Sequence, residues 1–161
     1  MFVVLTMCMR VPVFENYYLC LGYVVMMVYA FSFGAGAGAL VGSMGVVLYC
    51  LLTSGLRGMP GWALGNSLIG LIMGFAFRVI KHRQNRVFKW FVCVMAAVAG
   101  TALGILGIKS GVEFVLYGQP FWFRVAKNLY AFAADVFVMV LSLPLCARLD
   151  RWNDRYTEEK V

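Results

Sequence analysis

One carboxylate stands deep inside an apolar run of this 161-residue chain: Asp135, within residues 123–145. A charge placed there costs at least about 2.5–3.5 kcal/mol unless something compensates it. Such an acid can accept a hydrogen bond from a ligand or balance a cation. It can equally pair with a cation or amide of a neighbouring helix and so hold a bundle together. Arg124, Asn128 and Asp135 are spaced four and then seven apart, which places them on one stripe of a helix. Trp62 and Asn66 also lie one turn apart. An indole face with an amide one turn deeper suits a flat heterocyclic ligand, while the plainer reading is an interfacial anchor plus an interhelical amide bond. Tyr117, Gln119, Trp122 and Tyr130 line a pocket if the segment before the last span folds over the bundle, and otherwise form an aromatic belt. Lys127 is placed to snorkel to the interface.

Catalytic and metal chemistry find no support. His82 has no histidine or cysteine nearby and reads as a solvated loop residue. The five cysteines, Cys8, Cys20, Cys50, Cys93 and Cys146, lack C-x-x-C spacing, which argues against a zinc site or disulfide framework and for small buried hydrophobes. No Walker A motif, nucleophile elbow, H-E-x-x-H or paired carboxylate is present. The chain is therefore not expected to be an enzyme, and no cofactor or metal is implied. Without an ATP site, active transport would need a partner to supply energy.

The elements that must position these residues follow from composition. Hydrophobic residues make up 63% of the chain and charged residues 13%, against roughly 45–50% and about 25% in soluble domains. This predicts an all-α integral membrane protein. At about 20 residues per span there is room for five or six spans and no separate soluble domain. The predicted spans are a partial one at 1–9, then 17–33, 34–54, 62–80, 87–108 and 123–145, with a tail over 146–161. Residues 1–9 lack the basic start and small-residue cleavage site of a signal peptide.

Small residues four apart, such as Gly34, Gly38 and Gly42, or Gly70 and Gly74, let two membrane helices approach backbone to backbone. Spans 17–33 and 34–54 are joined by almost no loop, which predicts a tight hairpin. The loops are read as 11–16, 55–61 and 109–122, the last being the longest. The net charge of +7 is a topology signal and not a mark of nucleic-acid binding: nine of the fourteen bases, Arg78 to Lys89 and Arg148 to Lys160, fall on one face if the spans alternate. That face is expected to be cytoplasmic, with the C-terminus there and any ligand mouth on the outer side.

The order of these features resembles the substrate-binding S component of energy-coupling factor (ECF) vitamin transporters. The resemblance rests on Phe33, Gly34, Gly38 and Gly42, an outer turn, Trp62 with Gly65, Asn66 and Gly70, and the later segment Phe114-Val115-Leu116-Tyr117-Gly118-Gln119-Pro120. It covers residues 11–152 and is closest to riboflavin-type members. It implies a six-helix bundle with both ends cytoplasmic. A vitamin, with riboflavin the first guess, would be captured from outside and handed to a coupling transmembrane subunit driven by two ATPases. Carried over by position, Trp62 and Asn66 open the fourth helix, Tyr117, Gln119 and Trp122 belong to the outer lid, Asn128 and Asp135 line the sixth helix, and residues 11–17 close over the ligand. Two departures stand out. The family's first helix carries alanines four apart that pack on the coupling subunit, and residues 1–9 have neither that length nor those alanines, as expected of a half-length first helix or a start lying upstream. Asp135 stands where an uncharged amide is commoner. The competing expectation is a small non-transporting membrane protein whose glycine-rich faces serve assembly with other membrane subunits.

Overall fold

Gly34 ends one helix and begins the next. Its φ of 89° lies in the region that only glycine enters without cost, and it is the single residue between helix α2 (Gly22–Phe33) and helix α3 (Ala35–Leu52). The tight hairpin expected from the sequence is thus made by one backbone conformation. The computed structural model describes residues 1–8, 11–14, 17–53, 55–81, 83 and 85–158.

Six helices are present among the described residues. A short α1 (Phe2–Cys8) precedes the α2–α3 hairpin. A turn at Leu56–Gly58 leads into α4 (Met59–Ile80), with Pro60 in the first turn, where its missing N–H is no loss. Asn85 caps α5 (Arg86–Tyr117) by accepting hydrogen bonds from the amides of Val87 and Phe88 at 3.1 and 3.3 Å. Within α5, Ala102–Lys109 is wound as π-helix. Gly118, with φ 62°, ends α5, and α6 runs Phe121–Glu158 with Pro144 inside it.

Among the described residues four stretches are long and apolar enough to cross a membrane: Ala35–Leu52, Leu56–Ile80, Arg86–Tyr117 and Phe121–Leu149. The all-helical bundle with a short first helix agrees with expectation, and several boundaries do not. The predicted span 17–33 is shorter, because α2 has 12 residues, about 18 Å of helix against a hydrocarbon core of about 30 Å. Before it, β1 (Val11–Phe14) and β2 (Tyr17–Leu19) pair antiparallel with Val11 opposite Leu19, where the sequence reading had a loop at 11–16. Val-Pro-Val-Phe and Tyr-Tyr-Leu are β-branched and aromatic runs that favour a pleated surface. The expected long loop 109–122 is helical through Tyr117 and leaves three residues, Gly118 to Pro120, as the connection. The tail, too, continues α6 as far as Glu158. Both differences have one cause: scattered polar residues, and a lone glycine such as Gly111, do not by themselves stop a helix. Arg10, Asn16, His82 and Lys160 lie outside the described residues.

Helix α4 packs against α2, α3 and α5, and α6 against α2 and α5. The α3–α4 seam is made by the predicted glycines: a Cβ on Gly70 would fall 2.5 Å from the carbonyl oxygen of Gly38, and one on Gly42 would fall 2.9 Å from that of Asn66. Across the other face, a Cβ on Gly65 would fall 2.5 Å from the carbonyl of Gly104 on α5. Methionines fill the space between: Met26, Met27, Met73 and Met139 are fully buried beside Ile69, Ile105 and Val138, as suits an adaptable side chain in an irregular gap. Cys20, Cys50, Cys93 and Cys146 are buried free thiols, as expected; the side chain of Cys8 lies outside the described set. Gly70→Ala is expected to destabilise the fold by about 1–3 kcal/mol through overpacking. Gly36→Ala, where a Cβ meets nothing within 4 Å, is expected to be neutral or stabilising. Thermal unfolding of both variants in detergent checks the pair, and an equal response would contradict the seam.

Candidate ligand-binding site

Asn66, Ser110, Glu113, Asn128 and Asp135 are buried toward the end that holds the α3–α4 turn and the α5–α6 connection, whereas the buried hydroxyls of Thr6, Thr101 and Ser142 lie elsewhere. Asn66, two turns into α4, is fully buried. Its Oδ1 accepts a hydrogen bond from the hydroxyl of Tyr23 on α2 at 2.8 Å. Its Nδ2 is buried with no protein partner. A buried donor left in that state costs about 1–3 kcal/mol, so Asn66 is satisfied on one side and unsatisfied on the other.

Around this amide the other elements contribute in layers. Trp62, one turn nearer the end, is half-buried and packs edge-on against Tyr49 of α3, with ring centroids 5.6 Å apart at 85°. The ammonium of Lys109 on α5 stands 5.9 Å from the Trp62 ring centroid, within range of a cation–π contact. Asp135 on α6 is buried and lies within electrostatic reach of Tyr23 and Lys109. Among the described residues it forms no ion pair, and the Tyr23 hydroxyl near it donates to Asn66.

The second layer joins α5 to α6. Asn128 donates to the Ser110 hydroxyl at 3.0 Å, and Ser110 in turn donates to the carbonyl of Ile105 at 3.3 Å. That last bond spans five residues, the register of the π-helical segment. Such segments recur at functional sites because the extra residue per turn re-aims the side chains that follow. One turn further on, Glu113 is buried and forms an ion pair with Arg124 at 3.5 Å. Glu113 Oε2 and Arg124 Nε nevertheless lack hydrogen-bond partners, so this layer too keeps unspent polar capacity.

The expected site residues divide accordingly. Trp62, Asn66, Asn128 and Asp135 are brought together at this end. Tyr117 stands at the rim: its hydroxyl donates to the Arg57 carbonyl, and the Arg57 guanidinium lies 5.2 Å from its ring centroid, tying the end of α5 to the α3–α4 turn. Gln119 is half-buried in the three-residue connection. Trp122 is 79% exposed and touches Phe121 edge-on; it points away from the cluster. Tyr130 is exposed, and the Lys127 ammonium sits 4.8 Å from the Phe123 ring centroid.

Tyr23, Tyr49, Lys109, Ser110 and Glu113 were not singled out from the sequence. For two of them a signal existed: Lys109 and Glu113 are the only charges between Lys89 and Arg124, and they are four apart, hence on one helix face. Nothing local distinguishes Tyr23 from the other tyrosines.

A buried cluster of amides and charges bordered by aromatic faces, carried on helices long and apolar enough to cross a membrane, defines a multi-pass membrane protein. Comparison with known proteins agrees. The model of the family "ECF-type riboflavin transporter, S component" matches residues 1–151, and the chain belongs to that family. It is thus a substrate-binding, non-enzymatic subunit of an ECF transporter. It is also similar to a UPF0397 protein of Aliivibrio salmonicida, 29% identical over 135 residues covering 81% of this chain and 72% of that protein. A UPF0397 protein of Vibrio atlanticus is 29% identical over 134 residues with the same coverages. No solved structure matches the chain.

The Tyr23–Asn66 bond is the tie between α2 and α4 at the site. Tyr23→Phe and Asn66→Leu, singly and combined, are expected to show a coupling of about 0.6–1.7 kcal/mol in a double-mutant cycle. Unfolding in detergent measures it; strict additivity would show that the bond contributes nothing to the fold.

Proposed function

We propose that this subunit captures a flat heterocyclic vitamin, with riboflavin the first candidate, at the end of the bundle where Asn66 is buried. In this reading Trp62 supplies a stacking face and Asn66 donates its free N–H to a ligand carbonyl or ring nitrogen. Asn128 and Asp135 complete the polar edge from α6. Tyr117 and Gln119 form the rim that closes over the solute, while Trp122, turned away from the cluster, takes no part. The observation that carries the reading is the unpartnered Asn66 Nδ2 in an otherwise satisfied amide, because such a donor is at its cheapest when a ligand accepts from it.

The site end faces outward in this reading. The basic loop between α4 and α5 and the C-terminus lie in the cytoplasm, following the excess of bases there. Release requires a second state with lower affinity, since a ligand can move an equilibrium only by its differential binding. Docking on a coupling transmembrane subunit driven by two ATPases supplies that difference. The family match supports this reading over an assembly role. So does the use of Gly38, Gly42, Gly70 and Gly74 in contacts inside the chain, which leaves those glycines no free face for other helices.

The test is mass spectrometry, with an absorbance scan, of small molecules released from detergent-purified protein grown in rich medium. A stoichiometric heterocycle is expected. Asn66→Ala and Asp135→Ala are expected to weaken its retention by roughly 5–150-fold while the protein stays monodisperse. A folded wild-type sample that retains nothing after saturating vitamins are added back would overturn the assignment.

A further inference from the structure

At the opposite end of the bundle the structure holds an open cleft of about 1010 Å³ between the α2–α3 turn, the end of α4, the start of α5 and α6 near Leu143. That is the upper end of the roughly 300–1,000 Å³ range of small-molecule pockets, and the vitamin site proposed above does not use it. Its floor is apolar, with Phe31 edge-on to Phe77 at 5.3 Å and with Cys93 and Leu143 beside them. Its rim is cationic: Arg78, Lys81, Arg86 and Lys89 all line it, with no acid among the lining residues.

Two further facts sharpen this. Among the described residues the Glu113–Arg124 pair is the ion pair found, so none of the four rim cations is neutralised by a described carboxylate. The tail beyond Ala147 carries four bases (Arg148, Arg151, Arg155, Lys160) and four acids (Asp150, Asp154, Glu158, Glu159), which cancel. Four of the five bases from Arg78 to Lys89 line the cleft, and only Arg83 does not. A topology signal needs bases only in the loop. It does not need them around an apolar cavity.

We infer that this cleft binds an anionic phospholipid of the phosphatidylglycerol class, its phosphate held by Arg78, Lys81, Arg86 and Lys89 and an acyl chain laid against Phe31 and Phe77. The location fits the chemistry, because the cleft sits where helices leave the hydrocarbon, and basic pockets between membrane helices recognise lipid head groups. A soluble phosphate would find the cations but no use for the aromatic floor. The amphiphile satisfies both halves.

Native mass spectrometry of the detergent-solubilised protein, supplied with equal dioleoyl-phosphatidylglycerol and dioleoyl-phosphatidylcholine, reads the preference directly. The wild type is expected to carry one phosphatidylglycerol in clear excess. Arg78→Gln with Arg86→Gln should lower the adduct ratio by on the order of tenfold or more. Arg83→Gln with Arg148→Gln, which removes the same charge at the same end outside the cleft lining, should change it less than about twofold. Equal adducts in the wild type, or equal losses in the two double variants, would overturn the proposal. So would displacement of the lipid by millimolar glycerol phosphate, which would show that head-group chemistry alone suffices. An independent reading, valid even if the cleft variants fail to fold, uses vesicles: brominated phosphatidylglycerol should quench tryptophan fluorescence more than brominated phosphatidylcholine. Trp90→Phe should remove that excess, and its persistence would place the bound lipid elsewhere.

Discussion

The approach of α3 and α4 to backbone contact is the constraint on which the rest of the molecule depends. In a bilayer no hydrophobic force drives helices together, because lipid tails are as apolar as the side chains they would displace. Association must come from close packing, and Gly38, Gly42 and Gly70 make it possible by presenting backbone to backbone. With α4 drawn in from one side by α3 and from the other by the Gly65–Gly104 crossing with α5, its polar residue Asn66 has nowhere to point except the interior. The burial of that amide is thus a consequence of where glycines stand.

The same packing separates the two ends. Toward the α5–α6 connection the interior is polar: Tyr23, Asn66, Lys109, Ser110, Glu113, Asn128 and Asp135 come from four helices and share partners across them. Toward the α4–α5 loop it is apolar with a cationic edge. The middle is filled by methionines, whose unbranched side chains tolerate small shifts of the helices around them.

The π-helical stretch of α5 connects these themes. An α-helix that continued in register from Ala102 would present different residues to α6 after Lys109. The added residue per turn instead aims Ser110 and Glu113 at Asn128 and Arg124. A helix with a locally wider turn gives up some backbone regularity, and the polar links to α6 offset that loss. The incomplete hydrogen bonding of Glu113 and Arg124 leaves this junction with unspent polar capacity.

Much of the fold was legible from residue type alone. The excess of apolar residues required membrane helices, the glycine spacing located the α3–α4 seam, and the resemblance carried by Trp62, Asn66 and the Tyr117 segment pointed to the family. Periodicity could not place boundaries. Nothing within residues 109–117 distinguishes a polar helix turn from a loop, and the pairing of Val11–Phe14 with Tyr17–Leu19 depends on a partner strand that local propensity does not see. The site divides in the same way. Asp135 and Asn66 declared themselves because a polar group in an apolar run is expensive wherever it points. Tyr23 did not, since a tyrosine in such a run costs little, and only the crossing of α2 over α4 turns its hydroxyl into the anchor of Asn66. The sequence by itself determined which groups would need partners; the tertiary structure decided which partners they met, because a hydrogen bond depends on distance and direction between helices and not on spacing along one.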